Sequence, residues 1–401
     1  MHGRHIALFP LPGQPHVLAF LGLCPQLIRR GCRVTMATTE PLVKLAISAG
    51  AEPVIFEPDN FISIAFPAVT NGRSIDDPKR REDVAGVFCR WHIDCAAIAV
   101  RQLDEFYREN RPDLFVYEYG AFAGRILAKR LRSPAIQYYP EFIQHGGHVC
   151  WEGSVGYNPP SIVEFSRLLD SFLWSYGFQE TNNFWHSEEL NFYQFPKIFQ
   201  FDSDSLDSRR FCFIGPFLDR PFNPVWQNRS GGKRVILVSA VGQTFNDEYF
   251  NFVLDALSGS EYHVIISVGS QFPVGNARPL PDNFEINRYA SHLEILPHTD
   301  LHLYSGGPTG TLESLYFGVP LIATPSFDRN CVAADRLAEL GIVLNLPLHT
   351  LTSQMIRENV ESVFHDEALL GRVKQMQNLL RSSGGSVMAV DKIDELLAGH
   401  A

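Results

Sequence analysis

Three groups of residues in this 401-residue chain have types and spacings that chemistry can use. The first is His16, which follows the turn-forming run Pro10-Leu11-Pro12-Gly13-Gln14-Pro15 and opens a helical pattern at Val17. The residues before that run, His5-Ile6-Ala7-Leu8-Phe9, read as a short buried strand. A helix N-terminus disfavours a charged imidazole, so a histidine there is suited to accepting a proton. The second is Glu118, directly after the apolar run Leu114-Phe115-Val116-Tyr117. A carboxylate in that place can hold an imidazole in one tautomer and stabilise its protonated form. Taken singly, each reads more readily as a packing histidine or an exposed glutamate; as a pair at strand ends they carry more information. The third is Tyr304-Ser305-Gly306-Gly307-Pro308-Thr309-Gly310-Thr311-Leu312-Glu313, an apolar strand running into a glycine-rich turn and a helix. Glycines admit a ligand close to the backbone, and free N–H groups at a helix start bind phosphate. The same pattern also suits a tight structural turn. Gly242-Gln243-Thr244 forms a second such turn after the apolar run that starts at Val235. No G-x-G-x-x-G and no Gly-Lys-Ser/Thr is present, which counts against a nicotinamide dehydrogenase and a P-loop enzyme.

The elements that must position these groups alternate. After the first strand, Val17 to Arg30 has helical spacing that Gly31 stops, with Pro25 expected to kink it. Val34 to Ala37 and Val54 to Phe56 read as strands, then Leu114 to Tyr117 with a helix through Arg125 to Arg130. A second series starts beyond a Pro- and Gly-containing stretch without periodicity. Its strand runs are Val235 to Val238, Val264 to Ile266, Leu301 to Tyr304, Leu321 to Ala323 and Ile342 to Leu344. From about Ser353 the pattern is helical to the end. Alternating strands and helices predict parallel sheets covered on both faces, with ligands beyond the carboxyl ends of the strands. The fold class expected is therefore α/β, with two doubly wound domains.

Composition narrows the partners. Acidic residues outnumber basic ones 44 to 34, a net charge of −10, which repels nucleic acid and anionic lipid. The longest apolar runs are far short of the roughly 20 residues of a membrane span, and no signal-peptide core is evident, so a cytoplasmic location is expected. The 7 cysteines are odd in number and scattered, which suits reduced thiols. None of the 14 histidines is paired with other ligands at metal-binding spacing, so no metal is expected. Between residues 151 and 201 aromatic side chains occur at more than twice the density of the chain. That block is either helix packing or the wall of a pocket for an apolar or aromatic small molecule.

With these residues in view, the N-terminal run through Pro15-His16-Val17 and Leu27 to Thr35 resembles the opening of family-1 glycosyltransferases, closest to the bacterial macrolide and antibiotic type. Leu280-Pro281-Asp282-Asn283, the glycine-rich segment to Glu313, and Gly318 to Pro325 agree in order and spacing. The resemblance implies a GT-B fold, two Rossmann-like domains facing a central cleft. It places an acceptor-binding domain at 1–217, a linker at 218–233, a nucleotide-sugar-binding domain at 234–385 and a C-terminal helix at 386–401 that packs back on the first domain. It implies a UDP- or dTDP-sugar as co-substrate, an apolar or aromatic small-molecule acceptor, no cofactor, and inversion at the anomeric carbon. The protein would be a monomer or homodimer. His16 would be the general base and Glu118, where the family carries Asp, its orienting partner. Donor contacts would come from Gly242, Gln243, Thr244, Tyr289, Ala290, His292, Ser305, Gly306, Gly307, Thr309, Glu313, Asp328, Arg329 and Asn330. Tyr289 would stack on the nucleobase and Glu313 bind ribose. Gln14, Phe142, Trp151, Trp174 and Trp185 would touch the acceptor. Two departures stand out. The family's diphosphate-binding His is Ser305, and its acidic-plus-Gln pair falls at Arg329-Asn330, with Asp328 one residue earlier. A non-catalytic or partner-dependent ligand-binding protein of the same fold is the alternative.

Overall fold

The computed structural model describes residues 1–58, 78–140, 160–181, 183, 186–200, 204, 206–220, 224–239, 247–268, 279–288, 290–325 and 328–399, with the side chains of 78–89, 160–162, 247 and 328–332 left aside. The chain divides into two compact units, Met1–Pro221 with Ser383–Ala401, and Phe222–Ser382.

The first unit is built on seven parallel strands: β1 (His5–Phe9), β2 (Arg33–Thr38), β3 (Glu52–Ile55), β4 (Leu114–Glu118), β5 (Ala135–Tyr139), β6 (Leu190–Tyr193) and β7 (Phe211–Phe213), in the order β3-β2-β1-β4-β5-β6-β7. Every residue of β1 and β4 is buried, as continuous apolar runs covered on both faces must be. The covering helices are α1 (Gln14–Leu21), α2 (Leu23–Arg29), α3 (Val43–Ser48), α4 (Pro78–Glu109), α5 (Phe122–Leu131) and α6 (Pro160–Trp174). One face of the sheet buries Phe9, Phe115 and Tyr117 against Tyr107 of α4, Ile126 of α5 and Leu169 of α6. The other buries Leu8 and Val116 against Phe20, Leu27 and, from the C-terminal helix Gly385–Gly399, Ala389 and Ile393. That helix is tied on by Gly385 N–H donating to Ile214 O at 2.7 Å and by Ser386 Oγ donating to Asp219 Oδ2 at 2.6 Å.

The helix expected across 17–30 is two helices, and the break is at Gly22, one turn before Pro25. A Cβ on Gly22 would lie 2.5 Å from the Phe217 carbonyl oxygen, so the backbone there passes too close for any side chain. Pro25 falls in the first turn of α2 and has no N–H to give the Leu21 carbonyl four residues back, so the break lies one turn before it, where a proline kink is expected.

The second unit has six parallel strands: β8 (Val235–Ser239), β9 (His263–Ser267), β10 (Phe284–Asn287), β11 (Leu301–Tyr304), β12 (Leu321–Ala323) and β13 (Val343–Asn345), ordered β10-β9-β8-β11-β12-β13. Its helices are α7 (Asp247–Leu257), α8 (His292–Ile295), α9 (Pro308–Phe317), α10 (Asp328–Glu339), α11 (Ser353–His365) and α12 (Glu367–Ser382). In both sheets the strand order reverses beside the first strand, between β1 and β4 and between β8 and β11. A crevice opens at such a switch point, outside the carboxyl ends of the strands. Among the described residues, no helix is long and apolar enough to cross a membrane.

Candidate active site

His16 is the third residue of α1, and its ring meets the last residue of β4 at the first switch point. His16 Nδ1 lies 2.5 Å from Glu118 Oε1, the imidazole 22% exposed and the carboxylate wholly buried. A buried carboxylate is costly unless its oxygens are paired. Here Oε1 takes the imidazole, and Oε2 accepts the Leu11 N–H at 3.0 Å. With a carboxylate on Nδ1, the ring donates Nδ1–H and carries its lone pair on Nε2. One backbone amide of the β1–α1 turn therefore fixes Glu118, while the helix launched by that turn delivers His16. Glu118 is longer than Asp by one methylene and still reaches hydrogen-bonding distance.

Beside this pair the first unit holds a cavity of about 300 Å³, its open mouth included. The β1–α1 turn gives Pro10, Leu11 and Pro12 to its wall, α4 gives His92 and Ala96, and the β4–α5 turn gives Gly120. The lining is otherwise apolar apart from Cys95. Sites for small apolar molecules have a lining of this character. Of the expected acceptor contacts, Gln14 is the exposed first residue of α1. Trp174 ends α6 at 69% exposure and takes no part in the lining. Phe142, Trp151 and Trp185 lie outside the described residues. Of the aromatic block, Phe165 and Phe178 pack in the core and Phe192 and Tyr193 are sheet residues, so its described part is largely packing.

In the second unit Ser305 follows β11, buried, and Gly306 takes φ +78°, a backbone that favours glycine. Gly307 is different. Its φ of −69° and ψ of 145° suit any residue, and a Cβ there would meet nothing within 4 Å. Among the described residues, neither backbone nor packing within the unit asks for glycine at 307. Gly307 caps α9, whose first residue, Pro308, has no N–H to satisfy. The N–H groups of Thr309 and Gly310 follow in the first turn, where the helix dipole favours an anion.

Glu313 is 2% exposed on α9. Its Oε2 lies 3.8 Å from His292 Nδ1, and His292 Nε2 is 3.2 Å from Ser267 Oγ at the end of β9. Beneath them His302 is fully buried between Ser239 Oγ and Ser314 Oγ, each at 2.7 Å. Burial, and then the neighbouring His292, push the His302 imidazole well below its ordinary range, so it is neutral. A neutral ring donates from one nitrogen and accepts at the other, which matches two hydroxyl neighbours. Ala290 is fixed by Asn287, whose Oδ1 accepts the Ala290 N–H at 2.9 Å. Asp328, Arg329 and Asn330 open α10. Gly242, Gln243, Thr244 and Tyr289 lie outside the described residues. The structure thus joins His16 to Glu118 and His292 to Glu313. Sequence reasoning missed the Leu11 amide, His92 and the Ser239–His302–Ser314 chain. The signal for the last was His302 itself, a polar residue alternating with Tyr304 in a buried strand.

Two parallel-sheet units with a histidine–carboxylate pair at one switch point and a glycine-rich helix start at the other are the layout of GT-B glycosyltransferases. The comparisons agree. The C-terminal domain of erythromycin biosynthesis protein CIII-like proteins matches residues 251–395. NDP-glycosyltransferase YjiC of Bacillus subtilis (strain 168) is 29% identical over 100% of this chain and 99% of its own length. Demethyllactenocin mycarosyltransferase of Streptomyces fradiae is 26% identical over 99% of this chain and 87% of its own. The crystal structure of CalG4, the calicheamicin glycosyltransferase, superposes with a TM-score of 0.81 at 29% identity, over 99% of both chains. This chain is a glycosyltransferase. Its relatives point to family 1, of the antibiotic, natural-product type.

Proposed function

We propose that the protein transfers a sugar from a UDP- or dTDP-sugar to a hydroxyl of an apolar small molecule, with inversion at the anomeric carbon. The observation that carries this reading is the His16–Glu118 pair clamped by Leu11 beside an apolar cavity. The acceptor's O–H gives its proton to His16 Nε2, and Glu118 stabilises the imidazolium that forms. The acceptor oxygen bonds to the anomeric carbon from the face opposite the nucleotide. The bond from that carbon to the diphosphate oxygen breaks, and its electron pair leaves with the diphosphate. The second unit takes the donor. The hydroxyl of Ser305 and the N–H groups at the start of α9 meet the diphosphate, and Glu313 accepts from the ribose hydroxyls. Arg329, which offers only donors, favours a sugar bearing a carboxylate or altered hydroxyls over plain glucose.

Thermal stabilisation by UDP and by dTDP, with NAD as control, tests the donor half, because a ligand of the folded state must raise the unfolding midpoint. A shift with one pyrimidine diphosphate selects the donor series, and no shift at millimolar ligand overturns the reading. The acceptor half is tested by His16→Ala, which should abolish transfer while leaving the nucleotide shift intact.

A further inference from the structure

We propose that Tyr138 is a positioning residue for the transfer reaction, its hydroxyl holding the helix that carries His16 where the imidazole meets Glu118. This rests on His16 being the general base.

Three observations carry it. First, Glu118 and Tyr138 stand side by side as Cα partners in the β4–β5 ladder, and both reach α1. Glu118 takes the imidazole of His16 near the start of that helix, and Tyr138 Oη donates to the Ala19 carbonyl, three residues further on, at 3.0 Å. Second, α1 is short and weakly anchored by its own sequence. It has eight residues, Gly13 before it gives no side-chain cap, and Val17, Phe20 and Leu21 sink into the core. Apolar burial has no direction, so it leaves a short helix room to slide or roll; a hydrogen bond to its backbone does not. Ala19 lies in the last turn, where helix carbonyls look outward for partners. Gln194 Nε2, just past β6, donates to the same carbonyl at 3.3 Å, so side chains from two neighbouring strands fasten one oxygen. Third, Tyr138 is itself fixed. It is fully buried, its ring stacks on Phe217 at 5.3 Å and meets Phe20 edge-on at 4.7 Å between centroids. Phe217 is also the residue whose backbone abuts Gly22 at the helix break, so it seats the tyrosine ring and the end of α1 together. The His16–Glu118 contact at 2.5 Å leaves little room for drift. A misplacement of about 1 Å can cost on the order of 10²-fold in rate.

Tyr138→Phe removes the oxygen and keeps the ring between Phe20 and Phe217. The first readout needs no substrate. Nitrogen-15 NMR of the His16 ring, identified by its loss in His16→Ala, reports which nitrogen carries the proton when the ring is neutral. The wild type should show Nδ1–H, and Tyr138→Phe should show a mixture of Nδ1–H and Nε2–H. The second readout is initial rates with 2-naphthol and the sugar donor that the thermal shift selects. In Tyr138→Phe kcat should fall about tenfold, with the acceptor KM within about twofold and the nucleotide shift unchanged. Gln194→Met, which removes the other donor, should act in the same direction and serves if Tyr138→Phe does not fold. The double variant should lose more in kcat than the product of the two single losses, because only there does the Ala19 carbonyl lose both donors. A merely structural tyrosine would lower the unfolding midpoint and leave the His16 tautomer and kcat as they were; that result in both single variants, or a mixed tautomer already in the wild type, overturns the proposal. A tautomer shift in a protein that transfers no sugar supports the hold of Tyr138 on His16 and counts against the proposed function. Sugar transfer by the wild type with no tautomer shift in either variant does the reverse.

Discussion

Replacing Glu118 by Gln keeps the length of the side chain and removes both a charge and an acceptor. The carboxylate uses two acceptor atoms, Oε2 for the Leu11 N–H and Oε1 for His16 Nδ1. An amide has one carbonyl oxygen and one NH2. The Leu11 amide is a fixed donor, so it captures the oxygen and turns the NH2 toward His16. Nδ1 must then accept, which moves the ring proton to Nε2 and removes the base. The charge effect adds to this. For opposite charges centred about 4 Å apart, an effective dielectric of about 20 gives about 4 kcal/mol of stabilisation for the imidazolium. That is about 10³-fold in rate, with the tautomer change further lowering it. The assay is release of nucleoside diphosphate and formation of glycosylated acceptor at saturating substrates, alongside the thermal shift with the nucleotide alone. Transfer should fall by about 10³-fold or more, and the nucleotide shift should be unchanged. Activity within tenfold of wild type would refute the assignment of His16 and Glu118 as base and orienting partner.

Gly307→Ala should leave the unfolding midpoint nearly unchanged, since its backbone suits alanine and its Cβ has open space, yet weaken the thermal shift given by the nucleotide; an undiminished shift would remove Gly307 from the donor site. Ser305→His adds a group able to carry positive charge to the leaving diphosphate, and a charge-assisted hydrogen bond of roughly 1–3 kcal/mol predicts a rise in kcat of about one to two orders of magnitude. No change or a loss would mean that the site is built for a different donor. His302, held neutral by burial, should give stability that is complete above pH 6.5 and lost as pH falls, because only the unfolded chain then takes up its proton. Relative to His302→Gln, the wild type should lose stability below pH 6.5 with a slope that approaches about 1.4 kcal/mol per pH unit from about one unit lower in urea unfolding; parallel profiles would contradict this. Gly22→Ala should destabilise the first unit by about 1–3 kcal/mol, because its Cβ strikes the Phe217 backbone; an unchanged urea midpoint would show that Phe217 yields freely.

What was legible in the sequence was local. The apolar runs of β1, β4, β8 and β11, the turn before His16 and the glycines after Tyr304 each announce themselves within a dozen residues. The 32-residue α4 and the strands β5 to β7 did not. β5 and β6 carry buried Gln137 and Asn191, polar residues that interrupt the apolar pattern and find their partners only in the fold. Tyr139 Oη donates to Gln137 Oε1, and Asn191 Nδ2 donates to Glu188 O. The His16–Glu118 pair shows the same division. Glu118 and His16 stood out at strand and helix ends, but the distance between them is set by β1 lying next to β4, with Phe9 in register with Tyr117. Leu11 escaped notice because its contribution is a backbone amide, which no side-chain pattern reveals.

The discontinuity of the first unit bears on how the chain is made. A growing polypeptide emerges with Leu23, Cys24 and Leu27 of α2 early, yet Ala389, Val390, Ile393 and Leu397, which bury the same core, come more than 350 residues later. The second unit is continuous and can fold while the first still exposes that apolar face. During translation the first unit therefore remains open to chaperones and to aggregation until the last helix leaves the ribosome. A chain stopped just before Gly385 would release a foldable second unit joined to a first unit with one side of its sheet uncovered.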